Sequence, residues 1–422
     1  MKTIIKFKRK RLLDYLILAL IFCEILKYKP PLVNAVLLVL ILIKMLFATY
    51  RKRSARIILL LNVAYIIFAL YIARKVSFHS DIFWKNTRAL LYSLNTAAYF
   101  YFIFTEQEQW ATELINKVKP AINIFFYINF ITSWGQILYY RLIVNINYVE
   151  AWDASSGILS SVTSYAYLFI FYLTYNLSSL EKKQKGQSNK QKLRLLIITF
   201  AVLIESALND NKGLYILLIY YLAIYWLHRR KRGVELRGLI IFALIVACYI
   251  SYQSILLIGI DGPIIRGINN IIETINVDYN PNATYISGGS SERFWEVYYA
   301  FQRYNALSYG QGLSAAPFQA ERYLMFYHFG QSDLGTFLIL GGLFFTLVTI
   351  TIFMYYYTKL SKARGIQIIE ILVALLLGMV FTQVISMNSM QIIFISSLLS
   401  FRLFIYESRT KGMIIDETKN NI

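Results

Sequence analysis

The chain has 422 residues, 57% of them hydrophobic and only 16% charged, where a soluble globular protein carries nearer a quarter charged. The net charge of +20 would suit nucleic acid, but the Lys and Arg sit in short segments between apolar blocks, which is the pattern of membrane anchors and excludes a nucleic-acid partner. Both cysteines, Cys23 and Cys248, lie inside apolar runs, so neither a disulfide framework nor a cysteine metal site is expected.

The apolar blocks are long enough to cross a hydrocarbon core roughly 30 Å thick. Spans are expected near 12–27, 31–50, 57–73, 89–105, 121–139, 158–177, 193–209, 213–228, 238–260, 334–357, 366–386 and 390–406. That makes twelve, each helical, because backbone exposed to lipid must satisfy its own hydrogen bonds. The expected fold is therefore an all-α polytopic membrane domain over residues 1–422. The basic start has no small-x-small cleavage site, so the first span is expected to be retained.

Orientation follows from the basic residues. With the N-terminus inside, the inner segments carry 30 Lys and Arg and the outer segments 12, while Lys44 lies within a span. Both termini are expected in the cytoplasm of a bacterial inner membrane, with a cytoplasmic linker at 181–194. Residues 261–333, between spans nine and ten, form a large outer loop. None of the six prolines falls in the middle of an expected span, so the broken helices common in secondary transporters are not expected. His79 and His228 read as interfacial and anchor residues.

Four stretches hold groups suited to chemistry. The first is the short outer link NDNKG, 209–213, where Lys212 stands at the outer surface as a snorkelling anchor or as an anion ligand. The second is SERFWEVYYAFQRYNA, 291–306. There Arg293, Glu296, Ala300 and Arg303 share a helical face among aromatics that include Trp295 and Tyr298. It reads either as an interfacial helix or as a pair of guanidinium clamps for a diphosphate. The third is YGQGLSAAP, 309–317, whose glycines permit a tight turn. The fourth is ERYLMFYHFGQSDLG, 321–335, with Arg322, His328 and Asp333 just before a span. A histidine there reads either as a structural residue fixing the loop or as a general base, since its pKa lies near neutral. No Cys/His cluster, HExxH or DxD signature occurs, so no metal is expected.

Twelve spans, a basic outer link between spans seven and eight, and a large outer loop between nine and ten resemble the O-antigen ligase/polymerase superfamily. The loop shares Arg293 with Trp295, then Gly310-x-Gly312, then His328 ahead of a span with Gly341-Gly342. The likeness covers topology throughout and motifs over 209–213 and 290–342. The family usually has Ser-Arg-Gly where this chain has Asn-Lys-Gly at 211–213, and Asn where Phe329 follows the histidine.

The resemblance implies a GT-C-like helical glycosyltransferase that needs no metal or other cofactor. Its donor is a glycan on undecaprenyl diphosphate and its acceptor a sugar hydroxyl. The polymerase branch builds O-antigen, capsular or exopolysaccharide chains, with a chain-length regulator as a partner. The ligase branch moves finished chains to a lipopolysaccharide core. Carried onto this sequence, Lys212, Arg293, Arg303 and Arg322 bind the diphosphate, and Trp295 and Tyr298 stack on sugar. His328 is the base and Asp333 orients it. The rival that is not an enzyme is a flippase for lipid-linked oligosaccharide. Only Asp14, Glu24, Lys44, Glu205 and Glu370 are ionisable within or near spans, few for a translocation path.

Overall fold

The computed structural model describes residues 2–30, 32–50, 52–73, 80–143, 155–180, 185–209, 212–228, 297, 300–301, 306–313, 332–399 and 401. Among them the regular elements are all helices. In chain order they are α1 Lys2–Glu24, α2 Val33–Thr49, α3 Arg53–Ala73, α4 Ser80–Glu106 and α5 Glu108–Leu138, which ends in a π-helical turn, Tyr139–Ile143. Then come α6 Val162–Leu180, α7 Lys185–Leu208, α8 Lys212–His228, α9 Asp333–Leu360, α10 Ile366–Phe381 and α11 Asn388–Leu399.

Among the described residues, three stretches are long and apolar enough to cross a membrane: Arg53–Ile72, Pro120–Leu138 and Asp333–Leu360. Four more are apolar but shorter: Val33–Thr49, Gly213–Tyr225, Ile366–Phe381 and Asn388–Leu399. The helices α1, α4, α6 and α7 cover expected spans with more polar sequences. The expected ninth span, 238–260, and most of the loop 261–333 lie outside the described residues.

The exteriors of α2 and α3 are those of a membrane protein. Val36, Val39, Ile43 and Leu46 are exposed on α2, and Leu60, Val63, Ile67 and Leu70 on α3, both at 3-4-3 spacing. The same helices bury Leu37, Ile41 and Met45, or Ile58, Tyr65 and Ala69, on the opposite side. A helix apolar on both faces belongs in a core or in lipid, and water does not tolerate contiguous apolar surface of this kind.

The chain forms two compact units, Met1–Ala121 with Tyr279–Leu398, and Ile122–Asp278 with Leu399–Ile422. In the first, α4 packs on α2, α3 and α9 and buries residues 93–104 on every side. Its polar groups therefore need partners inside. Asn95 Oδ1 accepts from Asn62 Nδ2 at 3.4 Å, and Asn62 Oδ1 accepts from the Tyr356 hydroxyl at 2.6 Å. Tyr65 and Thr349 hydroxyls meet at 2.9 Å. The in-span charges Asp14 and Lys44 pair at 2.8 Å, and the Tyr99 hydroxyl donates to Asp14 at 3.3 Å.

In the second unit α6 packs on α7 and α8. From α5, Phe126 stacks on Tyr172 with ring centres 3.9 Å apart, and the Tyr127 and Tyr172 hydroxyls meet at 2.6 Å. Residues 155–159 fold inward as a turn. Asn129 Oδ1 and Gln136 Oε1 accept from the backbone of Ile158 and Gly157, and Ser133 and Asn209 donate to the Ser155 carbonyl.

One span is broken, contrary to the expectation drawn from the prolines. Inside α9, Gly342 has φ 71° and ψ −173°, a conformation essentially reserved for glycine. Proline position carried no information about this break, because a glycine makes it.

Candidate functional site

The break in α9 is where the turn 306–313 meets the helix. Breaking a helix frees carbonyls and amides that must find other partners. The turn 306–313 supplies them. Gln311 N–H donates to Ile339 O at 2.7 Å, Gly312 N–H to Leu340 O at 2.6 Å, and Leu343 N–H to Ala306 O at 2.6 Å. Asn86, on α4, donates its side-chain amide to Leu313 O at 2.7 Å. Ala300, Ala306, Leu338 and Ile339 form a small buried cluster beneath this seat, with Val297 and Leu334 against it.

The glycines are there because backbone meets backbone. A Cβ on Gly310, at φ +60°, would stand 2.5 Å from Ile339 O and 2.7 Å from Gly342 N. One on Gly342 would stand 2.6 Å from Ser308 O. Gly310-x-Gly312 and Gly341-Gly342, which the sequence shows only as separate motifs, are two halves of one joint. The Gly312 amide is spent on Leu340 O, so within the turn its role is docking.

Nine residues before the break, Asp333 opens α9. It is completely buried. Its carboxylate accepts from Ile385 N–H at 2.6 Å, from Ser386 N–H at 3.3 Å and from the Ser386 hydroxyl. Its own N–H donates to Thr382 O at 3.2 Å. Ser332 caps the helix: its hydroxyl accepts from Gly335 N–H at 3.2 Å and donates to Met379 O at 3.0 Å. A capping serine and an acid in the first turn both favour a helix start. Asp333 thus locks the entrance of α9 to the turn 382–386 that follows α10. Among the described residues its partners are structural, and an imidazole would have to share an oxygen already engaged.

The other sequence-predicted residues fall mostly outside the description. Lys212 is the first residue of α8, and its side chain is outside the described set. Arg293, Trp295, Tyr298, Arg303, Arg322 and His328 lie outside the described residues. Sequence reasoning missed Asn86, which looks like an ordinary polar residue at the start of a span. It also passed over Gly342 as a conformational break, although a Gly-Gly pair inside an apolar run was the available signal. Among the described residues no group of three His, Cys, Asp or Glu side chains is placed to hold a metal.

No protein-family model matches the sequence and no curated protein matches it, so the functional reading stands on the chain's own residues and on the resemblance carried by 209–213 and 290–342.

Proposed function

We propose that the chain is a repeat-unit polymerase of a bacterial surface polysaccharide, a metal-independent glycosyltransferase with twelve spans and a GT-C-like helical domain. The reaction joins two lipid-linked glycans at the outer face of the inner membrane. The acceptor hydroxyl oxygen attacks the anomeric carbon of the donor glycan. The bond from that carbon to the diphosphate breaks, and lipid diphosphate leaves with the electron pair. His328 takes the hydroxyl proton. Lys212, Arg293, Arg303 and Arg322 hold the charge that develops on the leaving group, because fixed cations in a low-dielectric site need no reorganisation. Trp295 and Tyr298 present faces to sugar rings. Asp333 is a positioning residue: five residues after His328, it pins the point where the loop re-enters the membrane.

The observation that carries this reading is the seating of 306–313 in the α9 break. The stretch from this turn to α9, which carries Arg322 and His328, thereby has its two described ends fixed, at Gly310 and at Asp333, as a site for a mobile lipid substrate requires. The break itself would favour a transporter, where the ends of half-helices face the cargo. Here the freed carbonyls of Ile339 and Leu340 are taken by Gln311 and Gly312, which closes the break to an ion and favours the enzyme.

The test is reconstitution with lipid-diphosphate repeat units isolated from a strain lacking this chain. The wild type is expected to give a ladder of longer lipid-linked glycans. His328→Gln should lose about 10²–10⁴-fold in rate, because an amide cannot take the proton. Arg293→Lys should fail nearly as badly as Arg293→Ala, since both lose the guanidinium fork. Product only on an added lipopolysaccharide core would assign the ligase branch instead. His328→Gln within about tenfold of wild type would remove the base from its role.

A further inference from the structure

Four carboxylates in the described residues are fully buried, and three have evident means of support. Asp14 has the Lys44 ammonium, Glu24 the Lys29 ammonium, and Asp333 three donors from one turn. Glu205 is the exception. It sits on α7 with 0% exposure. Its Oε2 accepts from the Tyr165 hydroxyl at 2.8 Å, while its Oε1 has no hydrogen-bond partner among the described residues. No Lys, Arg or His of the described set pairs with it. A buried, uncompensated carboxylate costs several kcal/mol in a folded protein, and more so at membrane depth.

Glu205 also borders a void. Glu205 lines a pocket together with Tyr165, Ser206 and Asn209, closed by Val202 and Leu214, with room for about one water-sized sphere. Further oxygens stand close by. Asn209 reaches the Ser155 carbonyl at 2.9 Å, and Ser133 donates to that same carbonyl at 2.6 Å. The polar lining is thus one carboxylate, two hydroxyls and a side-chain amide, whose oxygens are hard donors, around a space the size of a single small ion. Hard oxygen sites take hard cations. One carboxylate balances one positive charge, and no second acid is among the lining residues.

We propose that this pocket is a sodium site, with Glu205 Oε1 as the anionic ligand. The ion neutralises the buried carboxylate. It would sit beside Asn209, which ties the C-terminal end of α7 to the inward turn 155–159 through the Ser155 carbonyl. The site is independent of the glycan reading above, since it needs neither donor nor acceptor.

The test uses the full chain in lipid nanodiscs of phosphatidylethanolamine and phosphatidylglycerol, with ionic strength held constant by choline chloride. Radioactive sodium should bind at one ion per chain, displaced by unlabelled sodium and far less by potassium. Thermal unfolding should move upward with sodium and saturate. Glu205→Gln, which keeps the shape and removes the charge, should lose both effects. Glu205→Asp, which withdraws the oxygen by one methylene, should weaken sodium binding at least tenfold while still folding. A wild type that neither binds sodium nor responds to it overturns the proposal, as does a sodium response retained in Glu205→Gln. A wild type blind to sodium but equally destabilised by Glu205→Gln and Lys212→Gln would overturn it by giving the counter-charge to Lys212.

Discussion

The joint at Gly342 is a demanding local feature of the described structure, and a single methyl group tests it. Gly342→Ala places a side chain on a backbone at φ 71° and ψ −173°, which costs about 1–3 kcal/mol in a non-glycine residue. The new Cβ would also lie 2.6 Å from Ser308 O and 3.0 Å from Gly310 N. Both are backbone atoms, so no rotamer change relieves the clash, and forced overpacking adds about 1–3 kcal/mol. The alternative is to lift the turn off the helix. That forfeits the bonds from Gln311 to Ile339, from Gly312 to Leu340 and from Leu343 to Ala306, each worth about 0.5–1.5 kcal/mol. The first route predicts a loss of about 2–6 kcal/mol and the second about 1.5–4.5 kcal/mol.

Two other glycines separate strain from crowding. Gly365 has φ +59° and ψ −127° with nothing within 4 Å of an added Cβ, so Gly365→Ala should cost only backbone strain of about 1–3 kcal/mol. Gly135 is helical with open space around it, so Gly135→Ala should stabilise by up to about 1 kcal/mol. The assay is thermal unfolding of each full-length variant in the same nanodisc, followed by tryptophan fluorescence. The expected order of stability is Gly135→Ala, wild type, Gly365→Ala, then Gly342→Ala well below. A Gly342→Ala protein that unfolds together with Gly365→Ala would show that the turn 306–313 does not occupy the break.

The remaining predictions concern the Asp333 end of the loop and the loop's side of the membrane. Asp333→Asn puts an amide where the Ile385 and Ser386 donors converge, so at least one buried donor loses its acceptor, and a drop of about 1–3 kcal/mol is expected in the same unfolding assay; unchanged stability would mean that the turn 382–386 does not depend on the carboxylate. In a cysteine-free background in intact cells, Ser290→Cys should react with an impermeant maleimide and Gln187→Cys should not; the reverse pattern would invert the topology inferred from the basic residues.

The helices were readable because hydrophobic block length is a strong and local signal. Val33–Thr49 and Ile366–Phe381 stand out as apolar runs, and their lipid-facing and buried sides are both apolar. The polar interior was less readable. Asn62, Asn95 and Tyr356 are far apart in sequence, and only packing shows that they form one hydrogen-bonded chain. Gly342 illustrates the same limit. A Gly-Gly pair in an apolar run tolerates a smooth helix or a break, and the choice depends on whether some other segment arrives to satisfy the freed carbonyls. That segment is 306–313, about thirty residues upstream. Asp333 was legible as an acid at the start of a span, but its partners come from 385–386, which no local pattern joins to it.

These long-range bonds bear on enzyme against transporter more directly than composition does. A protein that alternates between inward and outward access must slide or rock packed helices past one another. In the first unit, Tyr65 bonds Thr349 and Asn62 bonds both Asn95 and Tyr356, which crosslinks α3, α4 and α9 at buried positions. Breaking such a network without a replacement leaves polar groups unsatisfied at about 1–3 kcal/mol each. The same α9 carries the loop seat at its break and the Asp333 lock at its start. A helix held at its start, at its break and along its buried face is suited to standing still. It suits a rigid frame within the first unit, which is what the proposed glycan transfer asks of the helix that follows the loop.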